Sequence, residues 1–277
     1  MSLTKQIGIM QGRLSPRING KIQAYPAQTW QKEFHIAREI GYTAIEWIVE
    51  NPIEINALMS EVGIEQIKDI IAETDVRIDF ICADIFMQQP FVRMSKITLR
   101  QNIEYLNNIL LNGKEVGAIG VEIPFVDASS IKNEHEKNEL INAMQEAFDL
   151  AKEIGMKISL ETDLDANSFK NLLERINREH VQANYDIGNS ASLGYDPVKE
   201  LEAYGHKILN VHVKDRELNG TTVPLGSGNA NFELVFSKLN EIRYAGGITM
   251  QAARGENDIE IAKKQLLYTQ ELLEQFK

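Results

Sequence analysis

Residues 157–186 contain the sequence pattern that most clearly indicates the architecture of the chain. Lys157-Ile-Ser-Leu-Glu161 and Val181-Gln-Ala-Asn-Tyr-Asp186 are two short strand-like runs, and each ends on an acidic residue. Between them lies an apolar stripe at positions i, i+3, i+4 and i+7: Phe169, Leu172, Leu173 and Ile176. This spacing is that of an α-helix packed on one face. The stretch therefore predicts a strand–helix–strand unit with parallel strands.

Runs of this kind recur along the whole 277-residue chain, and most are nearly continuous in apolar residues, as in strands buried on both faces. The eight strand candidates are Gln6–Met10, Thr43–Val49, Val76–Ala83, Gly120–Pro124, Lys157–Glu161, Val181–Asp186, Ile208–Val213 and Gly247–Gln251. Strand then helix, repeated eight times, predicts an α/β fold closed into a (β/α)8 barrel. Such a barrel needs about 250 residues, so we expect one domain over residues 1–277. No G-x-G-x-x-G follows the first strand, which argues against a dinucleotide-binding sheet.

Composition excludes several classes of function. The net charge is −11 and no dense basic run occurs, so we expect no nucleic-acid partner. No apolar run approaches the roughly 20 residues that a membrane-spanning helix needs, so we expect no membrane partner. Cys82 is the only cysteine, which fits a reducing cytoplasm. Assembly into homo-oligomers is expected only by analogy with other barrels.

Polar residues end three successive strands at matched positions. Glu161 ends the fifth strand, Asp186 ends the sixth, and His212 lies in the seventh. Active sites of (β/α)8 barrels form where the strands end, so these side chains should converge. Two carboxylates and an imidazole facing one point predict a divalent metal site, with Mn²⁺ or Mg²⁺ favoured and Zn²⁺ or Co²⁺ as alternatives.

Other polar residues lie at the same rim. We expect substrate contacts from residues after the strands, which are Gln11, Arg13, Asp84, Asn189, Lys214, Arg216 and Arg254. Loops after the seventh and eighth strands often bind phosphate in this fold, and Arg pairs with it bidentately. The alternative is that Lys214 and Arg254 form ion pairs that close the barrel face.

Four motifs in order resemble the xylose isomerase-like barrels, and more closely their sugar phosphate isomerase/epimerase branch. They are Leu160-Glu161, Tyr185-Asp-Ile-Gly-Asn189, Val211-His-Val-Lys-Asp215 and Val223-Pro-Leu-Gly-Ser-Gly228. The resemblance implies that Glu161, Asp186 and His212 bind the metal. It also implies a fourth ligand after the eighth strand, usually a Glu that transfers a proton.

Gln251 stands at that fourth position. Its amide oxygen can bind a hard cation, but it cannot accept a proton at neutral pH. The resemblance implies that Glu161 is both ligand and base. The second proton-transfer group is then expected among Glu46, Asp84 and Glu122.

The predicted function is that of a metal-dependent enzyme that isomerises or epimerises a small sugar or sugar phosphate through an enediolate. Two alternatives stay open. One is a metal-dependent keto-sugar or keto-inositol dehydratase or lyase on the same scaffold. The other is a non-catalytic sugar-binding barrel, in which Gln251 marks lost chemistry.

Overall fold

The computed structural model describes residues 6–276. Ten strands occur in this range: Gly8–Met10 (β1), Ala44–Ile48 (β2), Phe80–Cys82 (β3), Gly120–Phe125 (β4), Lys157–Thr162 (β5), Val181–Asp186 (β6), Ile208–Val213 (β7), Asp215–Arg216 (β8), Thr222–Val223 (β9) and Gly247–Met250 (β10). Eight of them close into a parallel barrel in the order β1-β10-β7-β6-β5-β4-β3-β2. The two short strands β8 and β9 pair as an antiparallel hairpin outside the barrel.

Helices follow the barrel strands and surround them. They are Trp30–Ile40 (α1), Glu61–Thr74 (α2), Ile85–Gln88 (α3), Lys96–Glu115 (α4), Glu134–Ala143 (α5), Gln145–Ile154 (α6), Ala166–Ile176 (α7), Ile187–Leu193 (α8), Pro197–Tyr204 (α9), Phe232–Glu241 (α10) and Asp258–Gln275 (α11). Short 3₁₀ turns occupy Ile53–Ile55, Ala57–Met59, Asp127–Ser129 and Gly205–Lys207. None of the helices formed by residues 6–276 combines the length and apolar character that a bilayer crossing requires.

The predicted (β/α)8 barrel is confirmed, and all eight strand candidates become barrel strands. The third prediction, Val76–Ala83, was too long, because only Phe80–Cys82 joins the sheet continuously. Residues before it touch the neighbouring strand through one isolated bridge, between Arg77 and Ala44. Helix α8 was not predicted, since its seven residues are too short to show an apolar period.

Burial explains why the strands have such apolar sequences. Every residue of β4 and β7 is buried, because barrel side chains pack inward while surrounding helices cover the outer face. The helix stripes supply that cover: in α7 the four buried residues are the predicted ones, Phe169, Leu172, Leu173 and Ile176.

The residues that begin and end the helices determine where the loops between strands and helices lie. Gly155 ends α6 in the left-handed conformation, with φ 72°, as its position after the apolar stripe indicates. Asn231 begins α10, and its side chain accepts a hydrogen bond from the backbone N–H of Leu234. Asp186 begins α8 directly after β6, so one residue is both a strand end and a helix cap.

Candidate metal centre

A cavity of about 530 Å³ opens where the barrel strands end. Its walls come from the ends of several strands and from the loops after them, and they include Asp84, Glu122, Glu161, Lys214 and Gln251. Polar and apolar groups both line it, and two guanidinium groups, those of Arg13 and Arg216, lie in its wall. The cavity is therefore large enough for a small sugar and carries charge of both signs.

The three predicted metal ligands lie close together, and one of them, Glu161, lines this cavity. Ligand atoms of Glu161, Asp186 and His212 all lie within 4.8 Å of one another. Their exposed fractions are 5%, 4% and 0%. They converge because β5, β6 and β7 are neighbours in the barrel and Asp186 lies directly opposite His212 in the strand register.

Neighbouring amides fix the orientation of Glu161. Asn189 Nδ2 donates to its Oε1 at 2.6 Å, and Asn184 Nδ2 donates to its Oε2 at 3.0 Å. Burial alone raises the pKa of this carboxyl, but the hydrogen bond and charge of His212, with the charge of Lys214, lower the pKa to about 2. Glu161 is therefore ionised at neutral pH and holds two oriented oxygens at the cavity floor.

Asp186 is held equally firmly. Its Oδ1 accepts the backbone N–H of Asn189 at 2.8 Å, and its Oδ2 accepts from Lys214 Nζ at 2.9 Å. Each oxygen keeps a second lone pair, because each accepts one hydrogen bond from the described residues.

His212 lies between two acidic groups. Its Nδ1 is 3.5 Å from Glu161 Oε2, and its Nε2 is 3.1 Å from Glu46 Oε2. Burial lowers the pKa of His212, but Glu46 and Glu161 outweigh this effect and raise the pKa well above its usual value. The acidic groups on both sides of the ring therefore stabilise positive charge at this place.

This donor set fits a divalent ion. Two carboxylates and one imidazole nitrogen are ligands that Mn²⁺, Mg²⁺, Zn²⁺ and Co²⁺ all accept. The atoms also lie close enough together, within 4.8 Å of one another, for one ion to contact all three.

Comparison with known proteins shows the family to which the chain belongs. The family model described as xylose isomerase-like TIM barrel matches residues 34–272. The chain belongs to the xylose isomerase-like TIM barrel family. The resemblance that the four motifs indicated is thereby confirmed.

Relatives in this family extend over almost the whole chain. The L-ribulose-5-phosphate 3-epimerase UlaE of Salmonella heidelberg (strain SL476) is 26% identical over 255 residues, which make up 87% of this chain and 89% of the relative. The solved structure of an L-ribulose 3-epimerase has a TM-score of 0.79 and 18% identity, covering 98% of this chain and 95% of that chain. The structure of the IolI protein with a zinc atom has a TM-score of 0.78 and 18% identity, covering 98% and 99%.

Gln251 is the residue at which this member of the xylose isomerase-like family departs from the pattern expected after the eighth barrel strand. Its Oε1 accepts from Lys214 Nζ at 3.1 Å, and its Nε2 donates to Gln23 Oε1 at 3.2 Å. Gln23 in turn donates to Asp84 Oδ2 at 2.7 Å. The amide oxygen of Gln251 therefore faces Lys214, and its amide nitrogen faces Gln23.

The three candidates for a second proton-transfer group lie in different environments. Glu122 lines the cavity with 1% exposure, and no described residue donates a hydrogen bond to either of its oxygens. Burial and the charge of Glu161 raise the pKa of Glu122 well above its usual range. Asp84 also lines the cavity, and burial raises its pKa although Gln23 and Cys82 donate hydrogen bonds to it.

Glu46 is placed differently from the sequence expectation. It is not among the residues lining the cavity, because its carboxylate lies on the far side of His212 and accepts from Asn210 Nδ2 at 2.9 Å. A group without access to the cavity cannot reach a substrate carbon. We therefore do not assign proton transfer to Glu46.

The predicted substrate-binding cations also divide into two groups. Lys214 and Arg216 line the cavity, and Arg216 donates to Asn189 Oδ1 at 2.8 Å and to the carbonyl of Gly220. Arg254 instead pairs with Asp258 at 2.6 Å and lies outside the cavity wall. This is the ion pair that the sequence left as the alternative, and it directs Arg254 away from a substrate.

The remaining predicted contacts belong mostly to the loop after β1. Arg13 lines the cavity and donates to the carbonyls of Ile22 and Ala252, at 2.7 and 3.2 Å. Burial, with the charge of Arg254, lowers the pKa of Arg13 to about 10. Gln11 is buried and accepts the backbone N–H of Ile48, so it orders the strand ends and is not part of the cavity wall.

Sequence reasoning missed two contributors to the site. Asn184 precedes Asp186 by two residues on β6, and the two-residue period of a strand would have placed both on the inner face. Gln23 lies in the long loop between β1 and α1, where no periodic signal identifies which residues face the cavity.

Proposed function

We propose that this chain is a divalent-metal-dependent epimerase or isomerase of a ketose or ketose phosphate. The observation that carries the proposal is the convergence of Glu161, Asp186 and His212, with ligand atoms within 4.8 Å of one another and Glu161 in the wall of the 530 Å³ cavity. The L-ribulose-5-phosphate 3-epimerase that matches over 87% of the chain supports the same reaction class.

Glu161, Asp186 and His212 would hold the ion, with the amide oxygen of Gln251 as a fourth ligand. When bound, the ion would polarise the carbonyl and hydroxyl oxygens of the substrate and so acidify the C–H bond between them. Mn²⁺ or Mg²⁺ suits the oxygen-rich donor set best.

Two carboxyl groups in the cavity have properties suited to proton transfer. Glu161 is ionised and would accept the proton from the substrate carbon. Glu122, whose oxygens receive no hydrogen bond from residues 6–276, would carry a proton and return one to the enediolate. Glu122 thereby replaces the carboxyl group that Gln251 lacks.

Binding of a phosphate group would fall to Arg216, aided by Lys214. The guanidinium of Arg216 lines the cavity, and its hydrogen bonds go to neutral oxygens of Asn189 and Gly220. No carboxylate of residues 6–276 lies within 4.0 Å of it, so its charge is available to an anionic substrate.

The decisive experiment measures solvent exchange at carbon. The protein, stripped with EDTA and reloaded with Mn²⁺, is incubated in D₂O with ketopentoses, ketohexoses and their phosphates, including L-ribulose 5-phosphate. We expect metal-dependent deuterium incorporation next to the carbonyl without loss of water. The Glu161→Gln variant should show none while keeping the native circular dichroism spectrum. Glu200→Gln, which changes a buried glutamate on α9 in the same way, is the matched control.

Other results would decide against the proposal. Loss of water from the substrate would identify a dehydratase, for which one base is enough. Failure to bind any divalent ion, with no metal-dependent thermal shift, would identify a non-catalytic sugar-binding barrel.

A further inference from the structure

The Nε2 edge of the His212 ring, on the side away from Glu161, is in contact with Glu46. His212 Nε2 lies 3.2 Å from Glu46 Oε1 and 3.1 Å from Oε2, so both oxygens share one ring nitrogen. The exposed fractions of the two side chains are 0% and 1%. Neither can exchange this contact for water.

A short chain of hydrogen bonds holds the Glu46 carboxylate in place. Asn210 Nδ2 donates to Glu46 Oε2 at 2.9 Å, and Thr249 Oγ1 donates to Asn210 Oδ1 at 3.3 Å. These groups come from β2, β7 and β10, so three strands of the barrel fix the position of one carboxylate. A carboxylate held this firmly can also hold the ring that it contacts.

This contact determines which nitrogen of His212 carries a proton. A carboxylate oxygen accepts hydrogen bonds, so the contact with Glu46 favours an N–H group at Nε2. On the other side of the ring, Nδ1 lies 3.5 Å from Glu161 Oε2, within the candidate metal centre. With the ring proton on Nε2, the lone pair of Nδ1 would face an ion bound at Glu161 and Asp186.

We propose that Glu46 is a positioning residue, which fixes the tautomer and plane of His212 so that Nδ1 serves as a metal ligand. The inference rests on the proposed metal-dependent function. It assigns to Glu46 a role that needs no contact with the substrate, in agreement with its place outside the cavity wall. A carboxylate behind a ligating imidazole also increases the basicity of the ring and so strengthens the metal–nitrogen bond.

The test is the affinity for Mn²⁺, measured by titration calorimetry on the full chain, for wild type and for Glu46→Gln. The glutamine side chain has the same size but can turn its NH₂ group toward Nε2, which would move the proton of the ring to Nδ1. We expect Mn²⁺ to bind about 10- to 100-fold more weakly. The melting temperature of the metal-free variant should stay close to that of wild type.

Two further variants separate positioning from general damage to the interior. Glu46→Asp keeps the carboxylate with a shorter reach, and it should recover part of the lost affinity. Glu200→Gln removes another buried carboxylate, one that binds Tyr185, Ser190 and Tyr204, and it should bind Mn²⁺ as wild type does. If Glu46→Gln does not fold, Glu46→Asp alone must still bind Mn²⁺ more weakly than Glu200→Gln.

The protonation state of the ring can be observed directly. In the ¹H–¹⁵N correlation spectrum of the Zn²⁺-loaded protein, we expect the His212 proton on Nε2. A proton on Nδ1, or equal Mn²⁺ affinity in wild type and Glu46→Gln, would overturn the inference and leave the proposed metal centre intact. If wild type itself binds no divalent ion, the proposed function fails and the role of Glu46 fails with it.

Discussion

The ammonium nitrogen of Lys214 lies 3.1 Å from the amide oxygen of Gln251. Lys214 also donates to Asp186 at 2.9 Å, so one cation joins a candidate metal ligand to the residue that replaces the expected glutamate. The neutral side chain of Gln251 leaves the centre with one negative charge fewer than the family pattern implies. The strength of metal binding should therefore respond to the charge at this position.

We predict that Gln251→Glu binds Mn²⁺ more tightly, by roughly tenfold, because the number of charged ligands tunes the affinity of such sites. Gln251→Met, which removes the oxygen and keeps a similar size, should bind more weakly than wild type. Titration calorimetry measures both. Equal affinity in all three proteins would place residue 251 outside the coordination shell.

Arg216 and Arg254 should behave differently when each is replaced by alanine. Arg216→Ala removes the cation of the cavity wall, so KM should rise at least about tenfold for a phosphorylated ketose, the equivalent of one charge-assisted contact. KM for the free ketose should change little. An equal change for both substrates would remove Arg216 from phosphate binding.

Arg254→Ala should instead lower stability, because it leaves Asp258 without its partner. The side chain of Arg254 is 3% exposed and that of Asp258 is 17% exposed, so the loss in the free energy of unfolding should be that of a charge-assisted hydrogen bond, about 2 kcal/mol. Urea denaturation measures this loss. Unchanged stability together with a selective KM effect would restore the phosphate role to Arg254.

The Asp-Ile-Gly-Asn motif contains a glycine because α8 approaches Lys214 closely. A Cβ atom on Gly188 would lie 2.7 Å from Lys214 Cγ and 2.9 Å from its backbone carbonyl. We predict that Gly188→Ala destabilises the fold by about 1–3 kcal/mol, the usual cost of overpacking, and reduces turnover by displacing Lys214. Gly8→Ala is the control, since its Cβ would meet nothing closer than 3.4 Å. Similar activity and stability for the two variants would contradict the proposed close approach.

Asp215 holds the loop that follows the β8–β9 hairpin. Its carboxylate accepts the backbone N–H groups of Gly226, Gly228 and Ala230, at 2.9, 2.8 and 3.0 Å. Asp215→Asn loses at least one charge-assisted hydrogen bond, worth about 2 kcal/mol. This loss corresponds to a roughly 30-fold larger equilibrium constant for local opening of the loop. Hydrogen exchange over residues 224–230 should accelerate by this factor, while α6 should exchange as before. Unaltered exchange in the loop would show that other contacts hold it.

The barrel, and the convergence of three polar side chains within it, could be predicted because they depend on strand order alone. Glu161 and Asp186 end strands and His212 lies at matched depth, so closing the sheet brings the three together whatever the loops do. The sequence also identified Gln251 as the departure from the family pattern. These features need only the period of a strand and the geometry of a barrel.

Loop conformation and depth within the barrel could not be predicted. Arg254 follows β10 as a phosphate-binding residue would, but Asp258 at i+4 binds it instead. Glu46 and Glu122 both interrupt apolar strands, yet Glu122 reaches the cavity and Glu46 stops behind His212. This difference depends on strand stagger and on neighbouring side chains, which the alternation of residues along one strand does not reveal.

Glu33 gives the protein a dependence of stability on pH that is separate from the metal centre. Its carboxylate accepts the backbone N–H groups of Gly12 and Leu14, at 3.1 and 3.0 Å, and so shapes the loop that carries Arg13. Burial raises the pKa of Glu33 from 4.5 to about 7, although these hydrogen bonds oppose the shift. The folded state therefore binds this proton more tightly than the unfolded state does.

The sign of the effect follows from this difference. The contribution of Glu33 to the free energy of unfolding is complete below pH 4.5 and is lost as the pH rises toward 7, where the folded protein must hold a buried charge. Glu33→Gln cannot titrate, so the stability of wild type minus that of the variant should fall between pH 5 and pH 8. The upper bound of the fall is on the order of 3 kcal/mol. Urea denaturation at pH 5, 6, 7 and 8 measures it, and a difference that stays constant or grows with pH would show that Glu33 is ionised in the folded protein throughout.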